Sequence, residues 1–596
     1  MNKTSLGTKS LAGFLLCAAA ACSGGGDESP IPQAAFSVSD TTGTAPLTVE
    51  FTDNSTGLID AWFWEFGDGS TATEQNPTHT FTGAGNFSVA LNVSGPEGSD
   101  VLVQTDLVRI TESAPDPLFA AQWHHENSGQ NGGVPGEDAR TPEAWALGFD
   151  GSGARIAIVD NGLQLSHPDL LGNTVPDGSR SYTGNGTDPG LGDHGTACAG
   201  VAAGIGENGI GGLGAAPSAE LIGLGLLVNN TIANQVDAMT FDNANVVVSS
   251  NSWGPPDTLG VLADSPAAWR SAVEDGITFG RGGLGTVYTW AAGNGALSGG
   301  NLVDNSNYDG YANFYGVIAV AAVGDRGRQA FYSEDGANLW IAAPSEGNSG
   351  QAITTTDLLG SAGFNNGSDN SDYQDLAYTN TFNGTSSSTP LISGVIGLMA
   401  EANPNLTWSD VRVILAQSAR RNDPGDPDWT TNGAGFNINH AYGFGVVDAR
   451  AAVELAQTWT SLAPLTSEST ATISIDEPIT DNDPTPVTAL INVEGSAINQ
   501  LEYVHVHVDI PDHDFWPDLE IEITSPSGTV SRLASPHAAV TSSPNLVLPR
   551  MNDWRFGVTR CLGEPVNGTW TLSVRDLVSG LTGTVESVRF EFYGRP

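Results

Sequence analysis

Ala154-Arg155-Ile156-Ala157-Ile158-Val159-Asp160-Asn161-Gly162 is the stretch that decides the fold. Its apolar residues follow one another without the alternation of a half-exposed strand, so both faces of the strand are expected to be covered. Three similar runs follow: Val246-Val247-Val248, Thr286-Val287-Tyr288-Thr289-Trp290 and Val317-Ile318-Ala319-Val320. Segments of helical character separate them. Buried strands alternating with helices predict a parallel α/β sheet, here within residues 116–458. Ligands of open α/β sheets bind outside the carboxyl ends of the strands, which singles out Asp160 at the end of the first run.

On either side of this segment the pattern changes. Residues 32–113 are rich in alternating Val, Thr, Phe and Ser and predict an all-β sandwich. Trp64-Glu65-Phe66-Gly67-Asp68-Gly69 sets aromatic core residues just before an Asp-Gly turn, and Pro77-Thr78-His79-Thr80-Phe81 and Gly85-Asn86-Phe87-Ser88-Val89 follow. These residues resemble a PKD domain, an immunoglobulin-like module. Its exposed aromatics, Trp62 among them, could hold a polymer or protein partner. Residues 462–596 return to β: Tyr503-Val504-His505-Val506-His507-Val508 alternates, as does Trp570-Thr571-Leu572-Ser573-Val574, and a second sandwich or jelly roll is expected.

Lys3, Lys9, the apolar run Leu11 to Ala21 and small residues before Cys22 form the pattern of a secretory signal over residues 1–21, with 22–31 as a linker. The apolar run is too short to cross a membrane. Cys22-Ser23-Gly24-Gly25-Gly26-Asp27 also resembles a bacterial lipoprotein signal, in which Cys22 is lipidated. The expectation is export with anchoring in the outer membrane or on the cell surface, and secretion otherwise. The lipid is the only membrane contact expected. Past Cys22 the cysteines are Cys198 and Cys561, in different predicted domains, so no disulfide framework is expected. The formal charge is −46, with 67 acidic against 21 basic residues. A surface this acidic repels phosphate backbones and excludes nucleic acid as a partner, while it attracts cationic peptides and divalent metals.

Acyl transfer needs a nucleophile, a base, a carboxylate that orients the base, and donors for the oxyanion. Gly192-Asp193-His194-Gly195-Thr196-Ala197-Cys198 places a histidine among small residues at the opening of a helix. Asn383-Gly384-Thr385-Ser386-Ser387-Ser388-Thr389-Pro390 precedes an apolar helical stretch, so Ser386 falls at a helix N-terminus, where free amides favour an oxyanion. Taken singly, each of these residues has an ordinary structural explanation. Asp160, His194 and Ser386 occur in the chain order Asp, His, Ser, which is the subtilisin order. The three motifs resemble those of the subtilase family. That resemblance implies a subtilisin-like parallel-sheet peptidase domain, flanked by the immunoglobulin-like sandwich and a C-terminal jelly roll, and hydrolysis of peptide bonds through an acyl-enzyme. It also implies that Asn294, in Ala291-Ala292-Gly293-Asn294-Gly295, supplies an amide to the oxyanion hole.

Ser252-Trp253-Gly254-Pro255-Pro256-Asp257, Gly280-Arg281-Gly282-Gly283-Leu284-Gly285 and Asp309-Gly310-Tyr311 are similar to segments of kexin and furin in particular. The likeness implies that Ser252, Trp253 and Gly254 bind substrate and that Asp257 and Asp309 receive an Arg or Lys before the scissile bond. It implies calcium as a cofactor at two places: Asp257, Asp304 and Glu334 beneath that pocket, and Asp116, Asp169 and Asn208 with carbonyls near Ile205, Ile210 and Gly212. Residues 518–529 and 568–576 resemble the P-domain of proprotein convertases. Two departures loosen the likeness: Asn161 stands where those enzymes carry an acid, and Thr231 replaces a glutamate that reads a further arginine. A broad-specificity subtilase and a non-catalytic adhesin remain as alternatives. Cys198 is expected to be a small buried residue rather than a reactive thiol.

Overall fold

The computed structural model describes residues 31–596 other than 46, 82, 112–114, 185, 299–300, 349 and 539–548. The signal sequence, the linker up to residue 30 and Cys22 lie outside the described residues. The chain divides into two units, one ending at Ser113 and one beginning at Ala114.

The first unit is a β-sandwich. Phe36–Val38, Leu47–Asp53 and Thr78–Phe81 form one sheet, and Thr42–Thr44, Gly98–Thr111, Gly85–Gly95, Ala61–Glu65 and Thr71–Ala72 form the other in that order. Phe36, Phe51, Trp64, Phe66 and Phe81 fill the space between them. Trp62 departs from expectation. It lies two residues from the buried Trp64 on the same strand, so it shares the inward face, packs against the core and bonds Asp53 through Nε1 at 2.8 Å. The exposed aromatic of this strand is Phe63.

The second unit contains the predicted parallel sheet. Its strands run Arg180–Ser181, Glu220–Gly225, Arg155–Val159, Val246–Asn251, Val287–Ala291, Ile318–Val323, Leu339–Pro344, all parallel. From Arg155–Val159 the chain first adds strands on one side and then on the other. This strand therefore marks the topological switch, where a crevice opens at the carboxyl ends and Asp160 emerges. After Asp193 and His194, helix Asp193–Ala203 is built from Gly, Ala, Thr, Cys and Val, which lets it lie close against helix Thr385–Ala402 and the sheet. Helix Thr385–Ala402 is buried from Thr385 to Ala400 at every position except Ser386.

The same unit includes the C-terminal sandwich. Thr466–Ser469, Gly583–Arg595, Gln500–Ile510 and Met551–Val558 form one sheet, with Ile473–Ile479 also paired to Gly583–Arg595. Val487–Val493, Gly568–Asp576, Leu519–Thr524 and Val530–Ala534 form the second. The alternation in 503–508 predicts one wet face, yet Leu501 through Val508 are all buried. One face lines the sandwich core and the other meets the α/β domain: Tyr503 donates to the Asn313 carbonyl at 2.9 Å, and His505 packs beside Phe314 and Tyr315. At this seam Glu502 is fully buried between Arg412 and Arg595. Among the described residues no helix is long and apolar enough to cross a membrane.

Candidate active site

Asp160, His194 and Ser386 come from three segments and meet at the switch crevice. Both oxygens of the buried Asp160 carboxylate reach His194 Nδ1, at 3.0 and 2.8 Å. Burial opposes a charge on His194, but Asp160 outweighs it and holds the imidazole well above its ordinary pKa. The ring is set edge-on to Phe382 and lines a cleft that it shares with Ser386 and Asn294. Ser386 Oγ donates to the Ser252 carbonyl at 3.5 Å. A direct Ser386–His194 hydrogen bond is not among the described contacts. Such bonds are often loose without substrate and tighten in the Michaelis complex.

Local sequence explains why the serine sits where it does. Gly384, at φ 79°, caps the helix and turns the chain into it. Pro390 lies four residues after Ser386 and has no N–H, so the Ser386 carbonyl loses its helical donor. Ser252 Oγ, at 3.0 Å, and Cys198 Sγ, at 3.6 Å, occupy that carbonyl instead. Ser252 thus holds the nucleophile's backbone, a role its motif did not reveal. Cys198 is buried behind the triad, 3.8 Å from His194 Nδ1 and 3.9 Å from Asp160 Oδ2, and burial first among the causes raises its thiol pKa. It is the buried residue expected.

Asn294 is oriented by its neighbour. Its Oδ1 accepts from the Thr385 amide at 2.7 Å and from Thr385 Oγ1 at 3.0 Å, which leaves the Nδ2 donor free for the crevice. Thr385 is a positioning residue that sequence reading passed over.

Beside the triad lies a cavity of about 300 Å³ lined by Trp253, Gly254, Asp257, Asp304, Asp309 and Glu334, with Ser386 at its edge. A Cβ on Gly254 would lie 3.0 Å from Asp309 Oδ2, so the missing side chain leaves that carboxylate open to the cavity. Burial raises Asp304 and Asp309 to about 7 and Glu334 well above its ordinary value, and the neighbouring carboxylates add to each shift. Among the described residues none of these acids forms a salt bridge with an arginine. Such a set asks for a cation, and its all-oxygen chemistry fits calcium and a guanidinium equally.

The second predicted calcium set also converges. Asn208 Nδ2 donates to Asp169 Oδ1 at 2.6 Å, Ile205 N donates to the Asp169 carbonyl at 2.9 Å, and Asp116 accepts the amides of Glu207, Asn208 and Gly209. Asp169 Oδ2 is buried near Tyr378 and Gly212 without a well-formed hydrogen bond, and burial lifts this acid to about 7. An orphaned buried oxygen facing a second carboxylate fits a metal ligand.

The two departures are local in character. Asn161 spends its side chain on Asp193 and the Gly195 amide, and Thr231 caps helix Ile232–Thr240 through the Asn234 amide.

The fold and the site define an open parallel α/β protein in which an Asp, a His and a Ser come together at the switch crevice. Three family models match: the subtilase family over residues 151–445, the PKD domain over 27–110 and the proprotein convertase P-domain over 501–592. Furin of Rattus norvegicus is 33% identical over 495 residues, 80% of this chain and 58% of furin. Neuroendocrine convertase 2 of the same organism is 32% identical over 79% of this chain and 72% of its own length. A solved structure of the serine protease of Aeromonas sobria, in complex with its chaperone, is 28% identical and superposes with a TM-score of 0.73. It covers 81% of this chain and 96% of that one. The chain belongs to the subtilase family, in the furin-like group that carries a P-domain. It spans just under three fifths (58%) of the length of rat furin.

Proposed function

We propose that this chain is a serine endopeptidase that cleaves peptide bonds after Arg or Lys. The observation that carries the reading is a triad that has beside it both the Thr385-oriented amide of Asn294 and the acid-lined cavity. His194 takes the Ser386 proton as Oγ attacks the peptide carbonyl, and Asp160 holds the imidazole through Nδ1 and favours its charged form. The Ser386 amide at the helix N-terminus and Asn294 Nδ2 bind the oxyanion. His194 returns the proton to the leaving amine, and water then releases the acyl group by the same route in reverse. Asn294→Ala is expected to lower kcat by about 10²–10³-fold while KM stays nearly constant, because the amide acts on charge that develops only in the transition state.

Asp309 and Asp257 suit the cationic head of the residue before the scissile bond through charge-assisted hydrogen bonds. Matched peptides with Arg, Lys, Leu or Phe at that position test this reading. Arg and Lys are expected to dominate kcat/KM, and equal cleavage of Phe and Arg would remove the basic pocket. The occupied side chain of Asn161 and the capping role of Thr231 support selectivity for one basic residue rather than a strict dibasic signal.

Calcium would be held by Asp257, Asp304 and Glu334 and by Asp116, Asp169 and Asn208 with nearby carbonyls. When bound it would neutralise these carboxylates and tie together the loops that carry them. Exhaustive chelation is expected to lower the melting temperature by roughly 5–10 °C, since a site filled far above its Kd contributes a few kcal/mol to stability. An unchanged melting curve and unchanged activity would count against both sites. The signal pattern and Cys22 support export with a lipid anchor, and labelling cells with a palmitate analogue, with Cys22→Ala as the control, tests it. The PKD-like sandwich is the candidate contact for a polymer or protein partner, with Phe63 rather than Trp62 as its exposed aromatic.

A further inference from the structure

His505 and His507 stand two residues apart on Gln500–Ile510 and share the face turned toward the α/β domain. Across the strand pair they face Glu591 and Arg589 of Gly583–Arg595. His505 Nδ1 lies 3.2 Å from one Glu591 oxygen and His507 Nε2 lies 3.4 Å from the other. One ligand atom from each of the three residues falls within 4.8 Å of the others. With metal bonds of 2.0–2.1 Å, the edge of a tetrahedral zinc site is about 3.3 Å, so the two Glu591 separations, the shorter of which is now a hydrogen bond, match those of a coordination shell.

A second observation points to a ligand. His507 is 8% exposed, and its Nε2 is buried, aimed at Glu591 and without a hydrogen bond. The His505 ring is 1% exposed and confined by Phe314, Tyr315, Tyr503 and Tyr593, which fixes its orientation before anything binds. We propose that His505, His507 and Glu591 form a binding site for a divalent transition metal of the zinc class, at the seam between the C-terminal sandwich and the α/β domain. Two imidazoles and one carboxylate select such an ion over calcium, which takes oxygen ligands.

Arg589 acts as the resident cation. It donates to His507 Nδ1 at 2.9 Å and to Glu591, and it also approaches Asp553 Oδ2 at 3.4 Å. A divalent ion takes over the neutralisation of Glu591, and Arg589 turns to Asp553. The ring proton of His507 then moves to Nδ1, which faces Asp553 Oδ1 at 3.6 Å and completes a carboxylate–histidine–metal arrangement. Access is open on this side, where the Asp553 side chain is 62% exposed and that of Glu591 24%. The bound ion would link the two edge-sharing strands beneath Tyr315 and stabilise the docked sandwich by mass action.

The test titrates zinc chloride into the full-length protein in excess calcium. A Cys198→Ala background removes the Asp160–His194–Cys198 cluster as a competing site. One equivalent is expected to bind, and cobalt(II) in its place is expected to show the visible absorption of a tetrahedral ion. His507→Ala with Glu591→Gln should weaken binding by at least about 100-fold, and Asp553→Asn by about 10–100-fold. Because Asp553 is exposed, its variant decides the question if the double variant does not fold. Failure of the folded parent to bind zinc, or equal affinity in parent and Asp553→Asn, overturns the proposal.

Discussion

If Ser386 is the nucleophile proposed above, Ser386→Ala is expected to lower kcat for peptide hydrolysis by about 10⁶-fold, the scale on which a triad fails when its nucleophile is removed. Only the rate enhancement of about 10³–10⁴ over water that comes from the oxyanion hole and substrate binding should remain. The fold is expected to survive. Ser386 is the one position of its helix between Thr385 and Ala400 that is not buried, and its contacts with Ser252 Oγ and Cys198 Sγ are made by the backbone carbonyl, which alanine keeps. Stability should therefore change by no more than about 0.5 kcal/mol. Single-turnover kinetics, calorimetry and labelling with a serine-directed phosphonate check the three parts separately. Labelling that persists in the variant would place the nucleophile elsewhere, and an unlabelled parent would favour the adhesin alternative.

Glu502→Ala is expected to destabilise the second unit by about 3–5 kcal/mol, because it strands two buried cations. Glu502 Oε2 lies 2.8 Å from Arg595 Nη1 and accepts from Ser409 Oγ at 2.5 Å, while Oε1 lies 3.5 Å from Arg412 Nη1. Arg412 is 1% exposed; burial pushes its pKa down, and it stacks over Trp340 at 4.1 Å and Trp408 at 5.1 Å. Its Nη1 also donates to the Tyr315 carbonyl, yet Nε and Nη2 have no hydrogen bond. Among the described residues Glu502 is the one carboxylate that forms a salt bridge with either guanidinium. Denaturant unfolding measures the loss. Glu502→Gln, which keeps the shape and removes the charge, should recover only part of it. A change below about 1 kcal/mol in Glu502→Ala would mean that water reaches the seam and solvates the arginines.

The parallel sheet was legible because unbroken apolar runs such as Ile156–Val159 can be satisfied only by cover on both faces. Asp160 and Asn294 were legible because each directly follows or closely trails a buried strand, and Ser386 because it opens an apolar helix. Their roles came from resemblance to subtilases, and the structure then shows the candidates brought together in one crevice. The hold of Ser252 on the Ser386 carbonyl, as distinct from the substrate contact its motif implies, and Thr385 were not legible in these terms. Their hydroxyl partners lie 134 and 91 residues away, and no local period records such a contact. Trp62 turns inward because it shares the period-two register of the buried Trp64, which outweighs its place beside the exposed Phe63.

Sequence alone determined the order of the domains, the parallel character of the central sheet, and the chemical types available at the crevice, because strand period, helix starts and motif spacing are local properties. Tertiary structure alone decided what occupies the carbonyl that Pro390 releases, where Glu502 finds its two arginines, and that both faces of residues 501–508 are covered. The physical reason is that alternation reports two faces of different chemistry but not what packs on the second. The cover over His505 comes from Phe314 and Tyr315, nearly two hundred residues earlier in the chain.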